Sequence, residues 1–209
     1  MIETPRIKVC GLTREQDAHD CARLGVDAIG LVFYPDSPRH VTLEQARAVV
    51  AALPPFVSVV ALFVDPAPAQ VEAVLAAVPV DMLQFHGDES PDFCRAFQRP
   101  YLKAVRVRPG LDLLDYAGRH AGARGLLCDA FVPGQAGGTG ATFDWRLLPP
   151  ALPLPLILSG GLDPENVTDA IRRVRPAAVD VSSGVEAAKG IKDAAKIAAF
   201  ISGVHDASV

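Results

Sequence analysis

Eight short runs rich in β-branched and other apolar residues recur along the 209-residue chain, and segments of helical character lie between them. The runs are Arg6–Cys10, Ala28–Phe33, Val57–Val64, Met82–Phe85, Leu102–Val107, Gly125–Asp129, Leu156–Ser159 and Ala178–Ser182. Such alternation predicts repeated βα units and a parallel sheet. Eight units in about 200 residues is the lower limit for a closed (β/α)8, or TIM, barrel. An open doubly wound sheet is the rival, but it usually has about five or six strands. The chain has no GxGxxG after the first run and no GxxxxGKS/T anywhere. The expectation is an α/β protein, one (β/α)8 barrel domain over residues 1–209 with a parallel eight-stranded core.

Helix signals fit between the runs. Thr13 with Gln16, and Thr42 with Gln45, have capping-box spacing. Gly25 is placed to end the first helix. Ser90-Pro91 and Asp163-Pro164 read as an N-cap followed by proline at the first helical position. Ile197, Phe200, Ile201 and Val204 make one apolar face in the last helix. The segments after the fifth and sixth strands hold Gly122 and a proline-rich PPALPLP stretch, which predicts short or irregular helices there.

Composition narrows the partners. The formal net charge of −4 argues against a broad nucleic-acid surface, though local donors can still bind a small anion. No run of apolar residues is long enough for a membrane span. The opening MIETPRIKVCG lacks a basic region followed by an apolar stretch, so no secretory signal is expected. Cysteines at 10, 21, 94 and 128 have no CxxC spacing, which fits a reducing, cytoplasmic setting better than disulfides or zinc. No His/Asp/Glu cluster has metal-ligand spacing, so no metal is expected.

In a barrel, function lies at the C-terminal ends of the strands. The polar and glycine-rich clusters fall there. After strands seven and eight come Gly160-Gly161 and Ser182-Ser183-Gly184, two turns that let a backbone approach a phosphate. A helix N-terminus behind the first of them would add positive potential. Cys10 ends strand one just before Gly11 and a helix start, a setting that could favour a thiolate base; the bland alternative is an inert core thiol. Asp129 ends the apolar strand GLLCD, where it is either a loop carboxylate or an acid able to protonate a leaving oxygen. Arg39 sits in the proline-stiffened loop PDSPRH and could clamp a carboxylate through both arms of its fork. His86, in LQFHGDE, is a hydrogen-bonder beside the site rather than a base. Lys8 and Asp180 should face each other inside the barrel as an ion pair, with a Schiff-base lysine as the alternative.

Taken in order, KVCGLT at 8–13, GLVFYPDSPRHVT at 30–42, LQFHGDE at 83–89, LCDAF at 127–131, GGTGATFDW at 137–145, ILSGGLDPENV at 157–167 and VDVSSGVEAAKGIKD at 179–193 resemble the phosphoribosylanthranilate isomerase family across essentially the whole chain. The resemblance implies an isomerase of tryptophan biosynthesis that needs no cofactor. Its reaction is an Amadori rearrangement of N-(5-phosphoribosyl)anthranilate. It implies Cys10 as general base and Asp129 as general acid. It also implies Arg39 on the anthranilate carboxylate and Gly160, Gly161, Ser182 and Ser183 around the phosphate. Gly137 to Gly140 would form a loop that shuts over the substrate. His86 and Asp180 are expected among the substrate-side residues. The implied partner is a small phosphosugar, with the protein a monomer or homodimer. Another phosphosugar isomerase or epimerase, or a non-catalytic phosphate-binding barrel, are the competing readings.

Overall fold

The computed structural model describes residues 4–130 and 142–207. Eight parallel strands close into a barrel in sequence order: β1 Arg6–Cys10, β2 Ala28–Val32, β3 Ser58–Phe63, β4 Met82–Phe85, β5 Tyr101–Val107, β6 Gly125–Ala130, β7 Leu156–Leu158 and β8 Ala178–Val181. Every expected strand is present, with ends differing by a residue or so. Closure comes through β1 and β8, where Lys8 is in register with Asp180. Residues of alternate parity face inward. Leu102, Ala104, Leu127 and Ile157 fill one part of the lumen, and Cys10, Val32 and Leu62 pack together in another.

The helices are α1 Glu15–Leu24, α2 Leu43–Ala51, α3 Pro68–Ala77, α4 Pro91–Arg95, α5 Leu113–Arg119, α6 Val167–Val174 and α7 Ala194–Asp206. The Thr42–Gln45 capping box forms, Ser90 caps α4 ahead of Pro91, and Gly25 ends α1 in the left-handed region at φ 88°. The apolar stripe of α7 is buried as its periodicity predicts. Two expected caps shift. Arg14, not Thr13, precedes α1, because Thr13 donates its hydroxyl to the Gly190 carbonyl at 2.5 Å. Asp163 caps a separate turn through the amides of Glu165 and Asn166, so α6 starts only at Val167. After β5 the helix is short, and after β6 the described residues carry only a 3-10 turn at Trp145–Leu147.

One element was not anticipated. Beyond β8 and a 3-10 turn at Ser183–Val185, the chain makes a small antiparallel hairpin of β9 Glu186–Ala188 and β10 Ile191–Lys192. It carries two side chains that reach the mouth of the barrel.

Outside the β4–β5 edge, Lys103 is fully buried. Its ammonium donates to the carbonyls of Phe85 and Gly87 and to Glu89 at 2.9 Å, which ties down the loop after β4. Nearby His120 is buried, and its Nδ1 has no hydrogen-bond partner among the described residues. Burial, then the Lys103 and Arg119 cations, push its pKa down to about 4. The unfolded chain takes that proton near pH 6.5 while the folded ring refuses it until about pH 4. Stability therefore falls as pH drops through that window, by about 2 kcal/mol from this group. Urea melts at pH 7 and pH 4.5 should show a smaller loss in His120→Phe than in the wild type. Equal losses would refute the assignment.

Candidate active site

Cys10 closes β1 at the C-terminal rim, facing inward and buried. Its room comes from Gly30, its register partner on β2: a Cβ at Gly30 would lie 2.6 Å from Sγ. Two residues earlier on the same face, Lys8 donates to Asp180 at 2.7 Å. The expected pair thus forms, deep in the barrel. Burial pulls the Lys8 pKa down, but Asp180 and the neighbouring thiol raise it above the ordinary lysine value. An ammonium held protonated has no lone pair for a Schiff base, which removes that alternative.

The sequence suggested that a helix start would favour a Cys10 thiolate. The structure gives a different balance. α1 begins only at Glu15, and burial raises the thiol pKa, opposed by the cations of Lys8 and Lys192. Cys10 therefore rests as a thiol. Two ammonium groups stand ready to stabilise the anion when it forms.

Asp129 lies inward near the end of β6, also buried. Its Oδ1 accepts from its neighbour's amide, Ala130 N, at 2.8 Å, and Oδ2 lies 3.0 Å from His86 Nε2. On its other side, His86 Nδ1 lies 3.0 Å from Gln84 Nε2. Both ring nitrogens are thus committed, and His86 holds Asp129 rather than standing free for substrate. The Gln84 side-chain oxygen is buried without a partner among the described residues.

Cys10 and Asp129 come from strands three steps apart around the barrel, and contacts link them along the rim. Ser182 donates its hydroxyl to the Cys10 carbonyl at 2.9 Å. Gly184 presses on the Leu162 carbonyl so closely that a Cβ there would collide with it. Gly160, at φ +86°, sits where a Cβ would meet Ala130 N at 2.6 Å and Asp129 Oδ1 at 2.9 Å. The two glycine-bearing turns therefore touch each other and bridge the Cys10 backbone to the Asp129 carboxyl. Asn166 ties back the Gly161 carbonyl at 2.8 Å. The helix start expected directly behind Gly161 is displaced by the Asp163–Asn166 turn. Ser182 has already given its hydroxyl proton to Cys10. Ser183 opens the 3-10 turn beside it.

Arg39 is buried, and its fork is taken. Nε donates to Glu186 Oε1 at 2.7 Å and Nη2 to Oε2 at 2.8 Å. Lys192 reaches the same carboxylate at 2.9 Å and also donates to Ser182 O at 3.0 Å and Ser182 Oγ at 3.3 Å. Arg39 and Lys192 keep the Glu186 carboxyl below its usual range despite its burial. Burial pulls Lys192 below an ordinary lysine. The anticipated two-armed clamp on a ligand is thus occupied by a protein carboxylate, and only Nη1 lies outside the pair. Asp180 is likewise engaged at both oxygens, by Lys8 and by Ser159 at 3.2 Å. The GGTG segment at 137–140 lies outside the described residues.

Gln84, Glu186 and Lys192 were not read from the sequence. Gln84 was within reach of the same two-residue spacing that paired Lys8 with Cys10, since it precedes His86 by two. Glu186 and Lys192 needed the hairpin, which has no strong strand signal.

Residues 7–203 match the family model described as N-(5'phosphoribosyl)anthranilate (PRA) isomerase. The chain belongs to this family. A curated N-(5'-phosphoribosyl)anthranilate isomerase of Thiobacillus denitrificans is 63% identical over 197 residues, 94% of this chain and 96% of the relative. Among solved structures, the phosphoribosyl anthranilate isomerase of Thermotoga maritima superposes with a TM-score of 0.86 at 42% identity, covering 97% of this chain and 99% of that one. A further isomerase structure, in complex with reduced 1-(o-carboxyphenylamino)-1-deoxyribulose 5-phosphate, gives 0.80 at 38% identity, with 97% and 99% covered. The closed eight-stranded barrel expected from the sequence is also the fold of these solved isomerases. No helix among the described residues is long and apolar enough to cross a membrane.

Proposed function

We propose that this chain converts N-(5-phosphoribosyl)anthranilate to 1-(2-carboxyphenylamino)-1-deoxyribulose 5-phosphate by general acid–base catalysis. One observation carries the assignment of roles. A thiol flanked by two ammonium groups and a carboxyl held by an imidazole sit on one rim, joined by two glycine-bearing turns.

The turns at Gly160-Gly161 and Ser182-Ser183 hold the phosphate through backbone amides. Arg39 meets the anthranilate carboxylate through Nη1, with Glu186 steadying the rest of the guanidinium. Asp129 gives a proton to the ribose ring oxygen as its bond to C1 breaks. The substrate nitrogen's electron pair forms the new C=N bond, leaving a protonated Schiff base. Cys10, as thiolate, then takes the C2 proton. The C–H electrons become the C1–C2 enolamine bond and neutralise the nitrogen. Protonation at C1 with loss of the C2 hydroxyl proton gives the ketone. Lys8 and Lys192 favour the thiolate, while Asp180 keeps Lys8 charged. The substrate supplies its own electron sink, so two proton-transfer groups and an anion cradle suffice for this chemistry. Loss of phosphoribosylanthranilate fluorescence on adding the purified protein tests the reading. No turnover by folded wild type would end it.

Arg39→Ala should raise KM for phosphoribosylanthranilate about 10–100-fold, the loss of one hydrogen bond to a charged group. Inhibition by inorganic phosphate should stay nearly unchanged. Equal losses for both ligands would contradict a separate carboxylate contact.

A further inference from the structure

The lumen of this barrel is lined largely by apolar side chains, yet β4 places Gln84 among them. Its register partners are Leu62 on β3 and Leu102 on β5. It is fully buried, and its amide makes one side-chain bond, from Nε2 to Nδ1 of His86 at 3.0 Å. Its oxygen has no partner among the described residues. An orphaned buried oxygen costs about 1–3 kcal/mol, and an apolar side chain of the same size would avoid that cost. Packing therefore gives no reason for a glutamine here.

The donor inventory gives one. An amide nitrogen can only donate, so Nδ1 must be the bare nitrogen of the imidazole. The ring proton then sits on Nε2 and points at Asp129 Oδ2. We propose that Gln84 is a positioning residue that fixes the Nε2–H tautomer of His86 and so prepares Asp129 to act as an acid. This rests on the role proposed above for Asp129.

Two consequences follow for the acid step. His86 Nε2–H takes one lone pair of Oδ2 and the Ala130 amide one of Oδ1, so the carboxyl is held in one orientation with Oδ1 beside the Gly160 turn. When the acid proton leaves, the carboxylate keeps two donors, His86 Nε2–H and the Ala130 amide, so the product side of the transfer is stabilised without rearrangement. The opposite tautomer would aim a lone pair at the carboxylate and repel it. A group that orients an imidazole to serve a neighbouring carboxyl acts through geometry, not contact with substrate.

The test is a stability–activity split. Gln84→Leu fills similar space and removes the orphan. Its Tm should equal or exceed that of the wild type, while kcat falls about tenfold or more and KM stays within about twofold. A residue that only supports the fold would lose Tm with kcat. Gln84→Leu with wild-type kcat would overturn the proposal, as would a parallel loss of Tm. Nitrogen NMR of the wild type gives an independent reading that needs no variant. Neutral His86 should show a bare Nδ1 and a protonated Nε2, and the reverse pattern would overturn the proposal. Failure of the wild type to turn over phosphoribosylanthranilate would instead sink the parent reading, whatever the tautomer.

Discussion

Asp129→Asn should lower kcat about 10²–10⁴-fold while KM changes less than about threefold. The substitution keeps the shape of the side chain but removes the transferable proton. Without it the ribose ring oxygen must leave as an alkoxide, which is why the loss falls on kcat. The amide oxygen can still accept from Ala130 N or from His86, so the rim should hold its form. Binding of the product should therefore survive. Steady-state kinetics with the fluorescence assay, beside product titration, separate the two effects. Near wild-type kcat in folded Asp129→Asn would remove this residue from the mechanism. The expected loss exceeds that for Gln84→Leu, because that variant still has an acid, only a less well oriented one.

Legibility in the sequence followed the range of the forces involved. The eight strands were readable because burial inside a barrel requires apolar runs at βα spacing, and each run announces itself locally. The Lys8–Asp180 pair was readable from two-residue alternation plus barrel closure, which fixes β1 beside β8. The Thr42 cap formed because both partners lie within one turn, whereas Thr13 was drawn off by Gly190, a residue far away in sequence. Long-range competition of that kind leaves no local trace. The same limit hid the Glu186 carboxylate in the fork of Arg39, since the hairpin that delivers it is short and polar. It also concealed the sign of the Cys10 shift. A helix start after Gly11 pointed towards a thiolate, but the depth of burial depends on every strand around the rim.

Cys10→Ala should cost about 10²–10⁴-fold in kcat, with product affinity little changed. The residue contacts Val32 and Leu62, and a smaller side chain leaves that cluster in place. Asp180 and Glu186 cannot take over as base, because each is already tied to ammonium or guanidinium donors. The resting thiol imposes a second expectation. A free cysteine titrates near pH 8.5, so its alkylation by iodoacetamide levels off about one unit higher, near pH 9.5. Burial raises Cys10 above its ordinary value, so its alkylation should still climb with pH beyond that point, and saturating product should suppress it. Mass spectrometry of the Cys10 peptide can follow this apart from Cys21, Cys94 and Cys128, which are fully buried. A rate that plateaus below pH 8 would mean that Lys8 and Lys192 outweigh burial before substrate arrives. On the geometry described here the thiolate is instead a minor form. The two ammonium groups then matter most at the moment the C2 proton moves, when they stabilise the anionic partner from which the transfer begins.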